Sequence, residues 1–359
     1  MKIFRNIALA LLIALSSIII FIGVYFNINL SPIDKNNDEF KMVIIPPKTS
    51  TKKIGEILEK EGLVRSGQFF YIYCRIYNIN DLKASTYELS PNMSLEKIVE
   101  ILKEGNNYNP DMISITFMEG INMKKIASII EKNTNNTADD VYNKLKDKDY
   151  LDRIIAEYWF LTDKVRNENI YYPLEGYLYP DTYFLENKDV NVEQIFKIML
   201  DEMNKRLTPY QQKIESSNYT VHNYLTIASI TELEGVLKED RANIAGVFYN
   251  RLNKNMSLGS DVTTYYAFGI DMNERDLKAS EINTYNPYNT RGPKMEGKIP
   301  VGPVCMPSID SIDASINYTG NDYLYFVADK NRKVYFTKTL KEHNAKIKEL
   351  KDKGVWIEW

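Results

Sequence analysis

The hydrophobic pattern opens with an uncharged apolar run from Ile7 to Phe26. At ~1.5 Å of rise per helical residue this run matches a ~30 Å hydrocarbon core. Lys2 and Arg5 precede it, while Asp34, Lys35, Asp38 and Glu39 follow it. The positive-inside bias therefore puts the N-terminus in the cytoplasm and everything after residue 30 outside it. A cleaved signal peptide is the rival, but the run exceeds a usual h-region and no small-x-small cleavage site follows. An uncleaved single-pass anchor is expected, with the polar stretch Asn27 to Lys41 as a tether.

Beyond the anchor, short apolar runs alternate with amphipathic helical patterns. Lys52 to Lys60 (KKIGEILEK) resembles Lys124 to Lys132 (KKIASIIEK), and each follows a strand-like run, Met42 to Ile45 and Ile113 to Phe117. A similar helix, Leu95 to Leu102, lies between them. The first unit continues through an amphipathic helix, Ser66 to Tyr77, and a strand, Ser85 to Leu89. Lys/Ile/Glu helices also look alike by composition, so the repeat is an expectation rather than a proof.

A polar helix is expected over Asn135 to Asp149, then the pattern changes. Tyr171 to Tyr183 (YYPLEGYLYPDTY) cannot be a regular helix, because Pro173, Gly176 and Pro180 interrupt it, and it marks the entry to a second domain. Helices follow over Tyr224 to Glu234, ending at Gly235 as a C′ residue, and over Asp240 to Asn253. Gly, Asn and Pro loops run from Gly292 to Pro307. A strand, Tyr323 to Ala328, forms a hairpin with Lys333 to Phe336, and a charged helix, Leu340 to Lys353, closes the chain. The succession reads as an α+β fold.

Composition narrows the chemistry. The 359 residues carry 45 basic and 48 acidic side chains, a balance that argues against nucleic acid as a partner. Two Cys and two His leave no disulfide framework and little for a metal site. Chemistry here is expected to run on carboxylates. The 26 Tyr suit sugar-lined clefts, as they suit any wet interface. Gly292 to Ile299 nearly spells a phosphate-binding Walker A loop. Ile299 lacks the Mg²⁺-binding hydroxyl, Pro293 lacks an N–H and no strand precedes it.

The carboxylates of Thr231-Glu232-Leu233-Glu234 are more informative. Glu232 falls in the last turn of a largely apolar helix, where unpaired carbonyls and partial burial both favour a protonated carboxyl. A neutral carboxyl near pH 7 is what protonation of a glycosidic oxygen requires. Glu232 and Glu234 diverge by ~200° around the helix, so only one can point into a cleft. An ordinary helix-end salt bridge, to Arg241 or Arg251, is the structural alternative.

Ile227 to Glu234 (IASITELE), Ile244 to Leu252 (IAGVFYNRL) and Leu258 to Asp261 (LGSD) resemble the catalytic region of the YceG-like endolytic murein transglycosylases. The likeness continues through Leu174 to Tyr183, Asn286 to Thr290, Gly302-Pro303, Tyr323 to Ala328 and His343-Asn344, in order over nearly the whole chain. It implies cytoplasmic residues 1–6, an anchor 7–26, a tether 27–41, a LysM-like module 42–110, a connecting α/β subdomain 111–165 and a catalytic domain 166–359. It also implies endolytic cleavage of nascent peptidoglycan, with Glu232 as the catalytic acid; the role of Glu234 stays open. Departures are Met118 before Glu119-Gly120, Val262 after Asp261, Arg291 after the Tyr-Asn-Thr motif, and Cys305.

The reading that follows is a lyase acting on the MurNAc-β-1,4-GlcNAc bond. Glu232 would protonate the leaving oxygen and then, as base, help the sugar's own C6 hydroxyl attack C1, leaving a 1,6-anhydro-MurNAc end. Asn250, Arg251, Asp261, Tyr288 and Asn289 are candidates for shaping the site, Asn250 and Arg251 equally as helix-packing residues. Neither metal nor organic cofactor is implied. The partners implied are glycan strands, the membrane and the peptidoglycan synthases beside it. One alternative is a glycoside hydrolase with a second carboxylate ~5–9 Å from Glu232, Glu175 or Asp261. The other is a non-catalytic peptidoglycan-binding partner of the synthases.

Overall fold

The computed structural model describes residues 16–17, 20–105, 112–235 and 237–356. The chain is mixed α+β and divides into two compact units. The first comprises the described residues up to Ser114 together with Phe184–Asn187. The second comprises Ile115–Tyr183 and the chain from Lys188 onward.

In the first unit the order is α1 (residues 20–30), β1 (Lys41–Ile45), α2 (Thr51–Lys60), α3 (Gly67–Ile76), β2 (Ser85–Leu89) and α4 (Leu95–Glu104). The first strand, β1, pairs antiparallel with β2, Lys41 opposite Leu89 and Ile45 opposite Ser85. Ser50, Ser66 and Ser94 each accept a backbone N–H of the first turn of the helix that follows, which satisfies a donor with no intrahelical partner. Val43, Ile45, Leu58, Phe70, Leu89 and Ile98 form the core between sheet and helices. Helices α2 and α3 touch at Gly55 and Gly67: a Cβ on Gly55 would lie 2.4 Å from the Gly67 carbonyl oxygen.

Most of the expected membrane run lies outside the described residues. Among the described residues no helix is long and apolar enough to cross a membrane. Helix α1 exposes Ile20, Phe21, Ile22 and Val24 and packs Phe26 edge-on against Phe69, ring centroids 4.8 Å apart.

Strand β3 (Ile113–Thr116) pairs with β4 (Thr182–Leu185), and between them run α5 (Met123–Asn133), α6 (Ala138–Lys146) and α7 (Lys148–Glu157). The sequence repeat thus has a counterpart in the structure, strand–helix–helix reappearing with the same KKI helix after the strand. The single helix expected over Asn135 to Asp149 is instead two. Asp147 ends α6 with extended backbone and caps α7 by accepting the Tyr150 N–H at 3.0 Å.

The rest of the second unit is α8 (Val192–Leu207), α9 (Gln211–Glu215), α10 (Val221–Glu234), α11 (Lys238–Asn253), α12 (Asp261–Phe268), α13 (Ala279–Ile282), α14 (Ile309–Ile316), a hairpin β5 (Tyr325–Ala328) and β6 (Val334–Thr337), and α15 (Leu340–Asp352). Helix α10 is the central element. Thr220 and Asn223 form a capping box at its start, and its residues from Val221 to Thr231, Asn223 excepted, are buried. Helices α11 and α14 pack against it and against each other. Strand β5 starts two residues later than expected, and the Tyr323 and Leu324 carbonyls accept from the Asn250 and Arg251 side chains of α11.

Candidate active site

The last turn of α10 carries both glutamates, and the structure sends them to different partners. Glu232 Oε1 accepts from Arg241 Nη2 at 2.9 Å, and Oε2 accepts from the backbone N–H of Ser308 at 2.9 Å and from its hydroxyl. Glu234 Oε1 accepts from the Ser260 hydroxyl at 2.6 Å. This is the divergence that two residues of helical twist predict, and it leaves the pair unable to act on one bond.

Arg241 is the salt-bridge partner the sequence offered, and its fork does more than neutralise a charge. Nε donates to the Gly235 carbonyl at 3.1 Å and Nη1 to the Ser308 hydroxyl at 2.8 Å. Ser308 is also the N-cap of α14, accepting the Ser311 N–H. Glu232 therefore sits at the negative end of α10 and the positive end of α14 at once, beside a guanidinium. The electrostatic reading from α10 alone, with only the C-terminal carbonyls in view, is incomplete. The Glu232 side chain is 7% exposed and that of Arg241 12%.

Gly235 corrects another expectation. It does not adopt the left-handed C′ conformation; its φ is −97°. Glycine is needed for space, because a Cβ there would lie 2.8 Å from Arg241 Cγ and 2.9 Å from the Thr231 carbonyl oxygen.

The loop between β3 and α5 closes over this corner. Gly120 N–H donates to the Met306 carbonyl and Met306 N–H to the Ile121 carbonyl, both at 2.8 Å. Gly120, at φ +76°, is placed so that a Cβ on it would make ordinary contact with Leu233 Cδ2 at 3.5 Å and Glu232 Cγ at 3.9 Å. Glu119, one residue earlier, is exposed, and its carboxyl has no hydrogen bond or ion pair among the described residues. The sequence shows Glu119 only as part of a motif; the loop that carries it near Glu232 is placed by long-range backbone bonds to Met306 that no local pattern reveals.

Other candidates frame the site instead of entering it. Glu175 is 1% exposed, accepts the Met123 N–H at 3.0 and 3.1 Å on its two oxygens, and accepts the Tyr266 hydroxyl at 2.9 Å. Burial pushes its carboxyl up to about 8, against the pull of those two donors. It holds the start of α5 to α12. Tyr288 is fully buried, its ring 4.8 Å from Tyr171 and 4.9 Å from Tyr266. Asn289, also fully buried, accepts from Thr264 and donates to the carbonyls of Glu281, Ile282 and Thr284.

Asn250 Nδ2 donates to the Asn321 and Tyr323 carbonyls at 2.8 and 3.0 Å, and Arg251 to those of Leu324 and Leu258 at 2.6 Å each. These two clamp the entry to the hairpin, which is the helix-packing alternative. Asp261, at the first turn of α12, pairs with Arg291. As second carboxylates, Glu175 and Asp261 are each engaged by these partners. Cys74 and Cys305 are both buried free thiols and belong to different units.

A shallow depression lined by Tyr323, Phe336, Lys338, Glu342 and Lys346 lies on the C-terminal hairpin and α15, and none of these glutamates of the α10 corner lines it.

The YceG-like family model matches residues 43–349. A Streptococcus pneumoniae protein named endolytic murein transglycosylase is 37% identical over 335 residues, 89% of this chain but 60% of that protein, so the chain spans about three fifths of its length. A Bacillus subtilis protein of the same name is 36% identical over 327 residues, covering 90% of this chain and 89% of the relative. A solved Listeria monocytogenes structure described as YceG-like superposes with a TM-score of 0.61 at 35% identity, over 86% of this chain and 99% of that one. With the match running from β1 to α15 and spanning the Glu232 corner, the chain belongs to the YceG-like family.

Proposed function

We propose that this chain is a membrane-anchored endolytic peptidoglycan lytic transglycosylase. It cleaves MurNAc-β-1,4-GlcNAc bonds in nascent strands, leaves 1,6-anhydro-MurNAc ends and thereby terminates strand elongation. The observation that carries the reading is Glu232, held by Arg241 and Ser308 at the junction of α10, α11 and α14. The names of its pneumococcal and Bacillus relatives support it.

In this reaction the glycosidic oxygen leaves with a proton, and the C6 hydroxyl gives one up as O6 closes on C1. No water is activated, so no second carboxylate is required for that purpose. One carboxyl can serve as acid and then base, which is the role the resemblance gives Glu232.

The anchor reading rests on the uncharged run through Phe26 and on the exposed apolar residues of α1. The strand–helix–helix–strand order of β1 to β2 supports a LysM-like module at residues 42–110. Residues 111–165 would connect it to a catalytic domain at 166–359, placed outside the cytoplasm. An anchored enzyme would cut near the bilayer, beside the synthases that make the strands.

The test is mass spectrometry of products released from peptidoglycan by the wild type and by Glu232→Gln. Anhydro-MurNAc products that vanish in the variant support the reading. Reducing MurNAc ends would instead assign hydrolysis, and full activity in Glu232→Gln would remove Glu232 from the chemistry.

A further inference from the structure

The two oxygens of Glu232 are already occupied, one by Arg241 and the other by both donors of Ser308, and 7% of its side chain is exposed. A glycosidic oxygen reaching that carboxyl must compete with three donors that suit an anion. Beside it, the loop pinned to Met306 presents the exposed Glu119, with Gly120 placed so that a Cβ on it would meet Leu233 Cδ2 at 3.5 Å and Glu232 Cγ at 3.9 Å. Gly120 lets the loop turn here, because its φ of +76° disfavours any residue with a Cβ.

We propose that Glu119 is a second carboxyl of the reaction centre: it donates the proton to the leaving oxygen, while Glu232 accepts the proton of the C6 hydroxyl. This rests on the transglycosylase reading above and divides between two side chains the work given there to one. The C1–O4 bond breaks and O4 takes the Glu119 proton. The O6–C1 bond forms and the O6 proton passes to Glu232. Exchange with water then returns Glu119 to its acid and Glu232 to its carboxylate form, so protons balance and no water is consumed.

The surroundings favour that assignment. Glu119 is exposed to solvent on one side, but the protein around it partly desolvates the carboxyl and holds it above its ordinary value; the Glu232 charge on α10 adds to this, Arg241 on α11 opposes it, and Asp310 on α14 and Asp181 before β4 add smaller pushes. Environments that differ between two neighbouring carboxyls are how acid and base roles separate.

The experiment compares full-length wild type, Glu119→Gln and Glu232→Gln on two substrates across pH. One is peptidoglycan strands, whose leaving group needs a proton. The other is the 2,4-dinitrophenyl β-glycoside of a GlcNAc-MurNAc disaccharide, whose leaving group does not. Glu119→Gln is expected to lose about 100-fold in kcat/KM on strands, with the alkaline limb of the pH profile gone, and to turn over the dinitrophenyl substrate near the wild-type rate.

Glu232→Gln is expected to fail on both. A Glu119→Gln enzyme with the wild-type rate and limb on strands, or with equal losses on both substrates, overturns the role of Glu119 alone. Full activity of Glu232→Gln on strands overturns the underlying reading as well. Glu119 is exposed, so an unchanged melting temperature of Glu119→Gln checks that the fold is kept.

Discussion

Arg241 joins Glu232 to the backbone it hangs from: one guanidinium bonds the Glu232 carboxylate at 2.9 Å and the Gly235 carbonyl at 3.1 Å. The last turn of α10 is thus closed on the side of α11, and Ser308 closes it on the side of α14. The carboxylate, carried by α10, is held by groups from α11 and α14.

Removing the guanidinium leaves a nearly buried carboxylate without its counter-charge. Arg241→Ala is expected to cost about 3 kcal/mol in urea unfolding, and the double variant Arg241→Ala/Glu232→Gln to recover part of that loss. Equal stability of the single and double variants would mean the pair is energetically idle.

Gly235→Ala puts a methyl into a backbone carbonyl and an arginine stem. The φ of −97° is allowed for alanine, so the cost is steric and is expected at about 2 kcal/mol. A crystal structure of the variant should show Arg241 displaced from Glu232.

Glu175 predicts a pH dependence. Its carboxyl titrates near 8 in the folded protein, above its ordinary 4.5 in the unfolded chain, so the folded state binds more protons between those values. Stability from this group is full below pH 4.5 and is lost as pH rises towards 8. Glu175→Gln removes the loss. The variant's advantage over wild type should grow from pH 5 to pH 7, by an amount on the order of 3 kcal/mol. Melting curves at the two pH values measure it, and an equal offset at both would refute the assignment.

Asn250 donates to two carbonyls of the chain entering β5. Asn250→Ala leaves both without that donor, and a loss of about 1–3 kcal/mol in denaturant unfolding is expected. Hydrogen exchange should rise first in the hairpin of β5 and β6.

Much of the fold was legible because it is local. The period of apolar residues found α2, α4 and α5 within a residue or two, and the strand Ser85–Leu89 without error. It failed where one side chain decided, as at Asp147, which splits a continuous polar pattern into α6 and α7 by capping the second. The hairpin start was misread for a related reason, since Asn250 and Arg251 reach it from more than 70 positions away.

By itself the sequence determined the α+β class, the repeated strand–helix units and the divergence of Glu232 from Glu234, and its two Cys and two His made carboxylates the expected chemistry. These follow from helical and strand periods and from composition, which need no third dimension. Only the tertiary structure decided the surroundings of Glu232. The N-terminus of α14 opposes the negative end of α10, Arg241 fills the space that Gly235 leaves, and Glu119 arrives on a loop from β3. Electrostatic potential at a carboxyl sums over every nearby group regardless of chain distance, so local pattern cannot supply it.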